Sequence, residues 1–363
     1  MYDEGRHSAP LVSVKVQGHR RLRLRRNPDP HTAKPSLPSG ERSIMKAVTI
    51  KEAGGPEVLE WTEVEDPVPG EGEVVVDVVA GALNRADIMQ RMGLYPVPEG
   101  ASPYPGLEVS GRIGAVGPGV TGWQVGDGVC ALLTGGGYAQ KVAVPAGQLF
   151  TVPEGIGLAE AAALPEAVAT VWSNIAMTAR LKEGETFLVH GGAGGVGTMA
   201  IQIAKALGAR VVTTVGSPEK AARATELGAD VTINYRTQDF AGHGPYDVIL
   251  DVVGGRYLER NIRSLATDGR LTVIGLQDGL EGGLNLAELV FKRLSVHGTT
   301  LRTRSAAQKA AVVAEAQKEV WPMIESGAVQ LIVERTLPMA EAAEAHRLMD
   351  TGRHIGKILL VND

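Results

Sequence analysis

The stretch from Thr186 to Gly208 constrains this chain more than any other. Phe187, Leu188 and Val189 form a short apolar run, long enough for a buried strand, and Gly192-x-Gly194-x-x-Gly197 follows at once. Val196, Met199, Ala200, Ile203, Ala204 and Leu207 then recur at i, +3, +4, +7, +8 and +11, one face of a helix that Gly208 closes. Strand, glycine-rich turn and helix in that order are the setting of a dinucleotide-binding loop. In this reading Gly192 makes the tight turn, Gly194 leaves room for a pyrophosphate, and Gly197 lets the helix pack closely. Gly195 and Val196 sit inside the loop, where free N–H groups and the helix dipole favour phosphate. Such a glycine pattern alone is common. Here a following strand over 210–215 agrees with it.

The end of that following strand bears on which dinucleotide is bound. An NAD site usually has an acidic residue about 20 residues beyond the loop, on the ribose hydroxyl. Here the strand runs out in Val215-Gly216-Ser217-Pro218-Glu219-Lys220, with Gly216 where the acid would be. Ser217 and Lys220, with Arg223 one turn on, suit a 2′-phosphate and point to NADPH. Ser217 also serves as a helix N-cap, and one hydroxyl can do both. Glu219 reads as a first-turn helix residue.

Composition narrows the class. With 363 residues there is room for two domains. The single cysteine, Cys130, rules out internal disulfides and a Cys-rich zinc lobe, and suits a reducing cytoplasm. No apolar run approaches the roughly 18 residues of a membrane span. A net charge of −5 argues against nucleic acid as the main partner. Residues 1–44 differ: they carry nine Lys or Arg against four acids. Their prolines and lack of periodicity predict a disordered basic extension, dispensable for activity, with the working part starting near Met45.

From residue 45 to about 151 the pattern is strand-rich, with strands expected over 45–50, 57–64, 73–82, 108–116, 128–132 and 138–144. They predict a partly open β-barrel. A short helix over 84–91 interrupts it, with Asn84 as N-cap and Asp87 at its third position. Tyr95 follows in a loop before Pro96. Helical stretches over 160–164 and 167–178 lead into βα units, with strands over 187–190, 210–215, 230–234, 247–251, 270–275 and 295–299. That is a doubly wound parallel sheet of the Rossmann type, whose ligand lies at the carboxyl ends of the strands. Those ends carry Gly216, Gly254-Gly255 and Gly275-Leu276. A helix over 306–326, a strand over 330–336, a helix over 339–350 and a last strand over 356–361 return the chain to the barrel. The expected domains are therefore 45–168 with 303–363, and 169–302.

These residues resemble the quinone oxidoreductase (zeta-crystallin-like) branch of the zinc-free medium-chain dehydrogenase/reductases, from about Met45 onward. The matching pieces are Asn84-Arg85-Ala86-Asp87, Pro105-Gly106-Leu107-Glu108-x-x-Gly111, Val125-Gly126-Asp127, Ala193-Gly194-Gly195-Val196-Gly197, Leu227-Gly228-Ala229-Asp230, Asn234-Tyr235 and Asn261 through Gly275. The spacing of Asn84 and Tyr95 and the ending Ile355-Gly356-Lys357-Ile358 look most like the p53-induced type. The resemblance implies a GroES-like barrel beside the Rossmann domain. It implies NADPH contacts at Gly194 to Gly197, Ser217, Lys220, Tyr235, Gly254, Gly275, Leu276, Leu301 and Arg302, with Lys357 reaching the cleft. It places Asn84 and Tyr95 beside the nicotinamide. It also implies a homodimer paired through 295–300. Zinc-dependent relatives have Gly-His-Glu where this chain has Gly106-Leu107-Glu108. Leucine cannot ligate zinc, so no metal site is expected, and Glu108 is assigned a structural role.

The expected activity is metal-free transfer of reducing equivalents from NADPH to a quinone or other electrophilic acceptor, with Tyr95 and Asn84 positioning the partners. The rivals are an NADPH-dependent enoyl or enone reductase, in which Tyr95 would donate a proton, and a non-catalytic NADPH-binding protein.

Overall fold

The computed structural model describes residues 43–362; the extension assigned to 1–44 lies, but for its last two residues, outside them. The chain opens with β1 (Ile44–Ile50) and β2 (Leu59–Glu65), an antiparallel pair. The barrel side continues with β3 (Glu73–Ala82), α1 (Arg85–Arg91), β4 (Glu108–Val116), β5 (Gly128–Leu132), β6 (Lys141–Pro145) and β7 (Leu149–Thr151). After α2 (Pro165–Trp172) come β8 (Thr186–His190), α3 (Gly195–Ala206), β9 (Arg210–Val215), α4 (Pro218–Glu226), β10 (Val231–Asn234), β11 (Tyr246–Asp251), α5 (Tyr257–Ser264), β12 (Leu265–Val273), α6 (Leu286–Phe291) and β13 (Ser295–Gly298). Last are α7 (Ala306–Glu325), β14 (Val333–Pro338), α8 (Ala342–Asp350) and β15 (Lys357–Val361).

Two sheets organise these elements. The first is parallel, six strands in the order β10-β9-β8-β11-β12-β13. Its centre alternates between two covered faces. Phe187 and Val189 of β8 pack with α2, α3 and α7 through Val168, Ile201 and Val320, while Leu188 packs with Ile249, Phe240 and Ile262. Burial on both faces explains why β8 reads as an unbroken apolar run. The second sheet has the order β14-β15-β3-β4-β5-β7, with β6 also on β3. Strand β15 pairs antiparallel with β3, so the end of the chain completes a barrel begun some 280 residues earlier (Leu359↔Ala82). Ile358 and Leu360 face the barrel core with Val76, Val109 and Tyr138; Leu359 faces away, against Ala162.

Several boundaries move for local reasons. Pro56 starts a 3-10 turn, so β2 begins at Leu59. Tyr138 is drawn into the core, its N–H bonded to Pro105 O, and the strand proper begins at Lys141. The helix after Pro165 widens at Ser173 into a π-helical turn through Thr178. Strand β12 starts at Leu265, where it already pairs with Tyr246 of β11.

Candidate active site

The glycine loop lies where expected, between β8 and α3, but its glycines divide the work differently. The positive φ of the turn, +74°, belongs to Gly191, not Gly192. Gly192 is needed because a Cβ there would strike the Thr213 hydroxyl. A Cβ on Gly197 would meet Gly191 O and lie 2.6 Å from Gly192 Cα, so this glycine lets helix and loop close up. On Gly194 the nearest atom to such a Cβ is Gly191 O at 3.7 Å, which leaves an open face. The N–H groups of Gly195, Val196 and Gly197 form the first turn of α3 and have no intrahelical carbonyl to meet. They can bind phosphate oxygens.

Behind the loop is a buried polar network. His190 bonds Thr214 Oγ1 (3.1 Å) and Asn261 Oδ1 (2.8 Å), and Asn261 donates to Asp251 (3.0 Å). Asp251 accepts in turn from the N–H groups of Val253 and Gly254. The carboxylate thus shapes the turn at Gly254, while burial lowers the basicity of His190. Across the turn, Gly275 is packed on Val252 and Leu276 is exposed.

At the far end of β9, Ser217 caps α4 and accepts from the Lys220 N–H at 3.4 Å. Tyr235 folds over Gly216: its hydroxyl lies 2.6 Å from where a Cβ would stand, so no acidic side chain fits there without moving the ring. Lys220 reaches Gly352 O at 2.6 Å, and burial lowers its pKa. His354 on the same side is pushed down to about 4 by burial, then by Lys220 and Arg85. Arg223, expected to help at this end, instead pairs with Glu226 at 2.8 Å on its own helix. A neighbour three residues along costs less to reach than a distant ligand.

The barrel side of the cleft is built on Glu108, fully buried on β4. Lys357 crosses from β15, its stem against Gly195, and donates to Glu108 Oε1, to Asn84 Oδ1 (2.8 Å) and to Leu83 O (2.9 Å). All three ammonium protons are therefore used within the protein, and Lys357 acts as a strut rather than as a free cofactor ligand. Asn84 returns Nδ2 to Glu108 at 2.9 Å, and the N–H of Glu166 bonds the other Glu108 oxygen at 2.8 Å. Asn84 opens α1 as expected, but its amide serves this cluster. Asp87 accepts from the Asn84 and Gly106 N–H groups and from the Tyr138 hydroxyl.

Tyr95 stands on the opposite wall, its hydroxyl 3.3 Å from Thr300 Oγ1. Arg302 is buried beneath its ring, with its guanidinium carbon 5.0 Å from the centroid. Arg302 donates to Thr134 O (2.9 Å) and Gln90 Oε1 (2.6 Å), and its Nη1 has no hydrogen-bond partner among the described residues. Leu301 beside it packs into the core shared with α2. Arg302 thus supports the tyrosine rather than projecting toward the sheet's loop. Thr300, Gln90, Thr134 and Glu166 were not legible as site residues. The first three look like ordinary polar surface, and Glu166 falls between the two predicted helical stretches. Among the described residues no three His, Cys, Asp or Glu side chains cluster as metal ligands, and no helix is long and apolar enough to cross a membrane.

Comparison with known proteins agrees with this layout. Residues 70–154 match the model of the alcohol dehydrogenase GroES-like domain and residues 195–316 that of the zinc-binding dehydrogenase family. A 2-haloacrylate reductase of a Burkholderia species is 33% identical over 88% of this chain and 99% of its own length. The chain also matches large mycobacterial proteins, among them a mycocerosic acid synthase-like polyketide synthase of Mycobacterium tuberculosis, at 33% identity over 86% of this chain, but spans only 15% of that protein's length. Among solved structures, a quinone oxidoreductase of Pseudomonas syringae superposes with a TM-score of 0.79 at 34% identity, covering 87% of this chain and 99% of that one. The Escherichia coli quinone oxidoreductase complexed with NADPH gives 0.77 at 32%, again over 87% and 99%. With its GroES-like barrel, its Rossmann sheet and these full-length relatives, the chain belongs to the medium-chain dehydrogenase/reductase superfamily.

Proposed function

We propose that this protein is an NADPH-dependent quinone oxidoreductase that works without a metal. One observation carries the reading: the glycine loop and the barrel cleft are joined at a single seam. Gly356 N–H donates to Ala193 O at 2.8 Å, and Lys357 passes over Gly195 to Asn84 and Glu108. A dinucleotide whose pyrophosphate rests on α3 therefore has its nicotinamide end directed at Asn84 and Tyr95. Its phosphorylated ribose would meet Ser217 and Lys220, with Tyr235 over the adenosine; Gly216 stands where an acid would face the ribose, and the Glu219 carboxylate is hydrogen-bonded to Ser217. The solved relative holding NADPH supports the choice of nucleotide.

Bound NADPH supplies a hydride to an electron-poor acceptor. The protein contributes position and a partly dry slot. Tyr95, backed by Arg302 and Thr300, offers a flat wall against which a planar acceptor can lie. Asn84 is held rigid by Glu108 and Lys357 and can orient the carboxamide. Glu108 is committed to Lys357, Asn84 and Glu166, which leaves it a structural charge rather than a ligand.

An alkene reductase is the second reading, favoured by the kinship with a 2-haloacrylate reductase over nearly its whole length. Mixing the full chain with NADPH and 9,10-phenanthrenequinone, then with crotonyl-CoA, separates the readings. Rapid oxidation with the quinone supports the first, oxidation with the thioester alone supports the second, and oxidation with neither leaves a nucleotide-binding protein.

A further inference from the structure

Resting on the reductase reading, we propose that Glu166 stands in the cleft as a carboxylic acid and gives its proton to the acceptor's carbonyl oxygen as the hydride arrives. Glu166 is the second residue of α2, and its N–H is bonded to Glu108 Oε2 at 2.8 Å. It therefore adjoins the Asn84–Glu108–Lys357 cluster directly. Thr170 and Asn174 follow on the same face of the continuing helix, and Asn174 Oδ1 accepts from Thr299 Oγ1 at 2.6 Å. The next residue, Thr300, meets Tyr95. The helix thus forms the floor between the two cleft walls, with Glu166 at its barrel end.

Its surroundings keep it protonated. Among the described residues the side chain takes one hydrogen bond, from Thr170 Oγ1 at 3.4 Å, and no ion pair. The charges facing it are Glu108 from β4, Asp87 from α1, Lys357 from β15, Lys309 from α7 and, beyond β13, Arg302. Lys357 is spent on Glu108, Asn84 and Leu83, and Lys309 donates to Thr134 Oγ1. Arg302 donates to Thr134 O and Gln90 Oε1, and none of the three cations forms an ion pair with Glu166 among the described residues. Burial is the largest influence and the Glu108 charge the next, so the carboxyl is pushed up to about 8. An acid in the first turn of a helix ordinarily stays ionised to serve the dipole; here desolvation and a neighbouring carboxylate win. A quinone receives two electrons and one proton as hydride, and its oxygen takes the Glu166 proton. The products are the hydroquinone and a Glu166 carboxylate, which solvent reprotonates before the next turnover.

Glu166→Gln keeps the shape and removes the proton. With NADPH and 9,10-phenanthrenequinone, kcat of the native protein should fall as pH rises through about 8. The variant should lose that alkaline limb and about a hundredfold in kcat, with KM for NADPH unchanged. Glu166→Asp should keep the limb at a lower rate, and Tyr95→Phe should keep it too. In the ligand-free protein, infrared difference spectra should show a protonated carboxyl band that titrates in the same range and is missing from Glu166→Gln. If Glu166→Gln keeps both rate and limb, or if the band is absent at neutral pH, proton delivery by Glu166 is overturned while quinone reduction stands. A native protein that reduces no acceptor overturns both.

Discussion

The methylene stem of Lys357 fills the space that a Cβ on Gly195 would need, so the phosphate loop and the last barrel strand fit only because residue 195 is glycine. Gly195→Ala must displace that stem and with it the ammonium on Glu108. Lys357→Met should be worse, since it leaves Glu108, fully buried, as an uncompensated charge. Removing one partner of a buried pair costs about 3–5 kcal/mol, whereas replacing both is often near neutral. Lys357→Met should therefore lower the urea midpoint strongly, and adding Glu108→Gln should restore much of it. Equal destabilisation by the single and double variants would refute the strut role.

Asp87 gives a stability signal with a definite sign. Burial pushes its carboxyl up to about 6 from an ordinary 3.8, despite three hydrogen bonds and Lys357 opposing the shift. A raised folded pKa means the stabilising contribution is full below the unfolded value and is lost as pH rises from about 4 through 6. At 1.36 kcal/mol per unit the loss is on the order of 3 kcal/mol. His346 and His354, pushed down to about 3 and 4, act in the opposite sense as pH falls below 6.5. The contribution of Asp87 is therefore read as the difference between native protein and Asp87→Asn. The variant should be less stable by about 1–3 kcal/mol near pH 4, because its amide N–H₂ confronts the donors of Asn84, Gly106 or Tyr138. The gap should narrow as pH rises to 7. Urea unfolding across pH 4–7 checks this, and a constant gap would count against a raised Asp87.

On the proposed assignment, Lys220 and Ser217 carry the preference for the phosphorylated nucleotide. A charge-assisted bond to phosphate is worth about 1.5–3 kcal/mol, so Lys220→Ala should raise the Kd for NADPH roughly ten- to a hundredfold and leave NADH within about twofold. Lys220→Glu should weaken NADPH further. Fluorescence titration of both nucleotides measures it, and an equal loss for NADPH and NADH would remove the 2′-phosphate role. If Tyr235 lies over the adenosine as proposed, Tyr235→Ala should cost both nucleotides alike, since its ring would not sense the phosphate.

How much of this was legible in the sequence follows from the range of each interaction. The loop, α3 and the parallel sheet could be read because their periodicities are local and both faces of β8 are apolar. Ser217 as a cap and Gly216 in place of an acid were likewise readable. Gly191 was missed as the turn residue because only Gly192-x-Gly194-x-x-Gly197 satisfies the spacing, and Gly191, just outside it, is marked by its backbone φ alone. The partnership of Lys357 with Glu108 joins residues 249 apart and has no local signature. Arg302 was expected at the cofactor on the resemblance alone, yet its donors are drawn to Thr134 O and to Gln90 on α1, partners that no local pattern announces. Glu166 fell between the two predicted helical stretches, and the burial and the Glu108 carboxylate that shift its carboxyl are tertiary.

The edge of the parallel sheet predicts the assembly. Among the described residues, strand β13 pairs with β12 on one side only, which leaves a row of N–H and C=O groups on the other. Unpaired edges invite a partner strand, and the nearby surface is apolar: Val296 on β13 and Leu286, Val290 and Phe291 on α6 are exposed, the last at 80%. Neither β13 nor α6 contains a proline to block pairing. A twofold axis through β13 would join two edges into one twelve-stranded sheet and cover these side chains in a single isologous contact. Light scattering of the native protein should therefore give twice the 38.1 kDa chain mass. Phe291→Glu, which places a charge in the covered patch, should yield monomers that still bind NADPH, because Ser217, Lys220 and the glycine loop lie on other strands. A native monomer at micromolar concentration, or a Phe291→Glu variant that stays dimeric, would show that this edge is closed by something else.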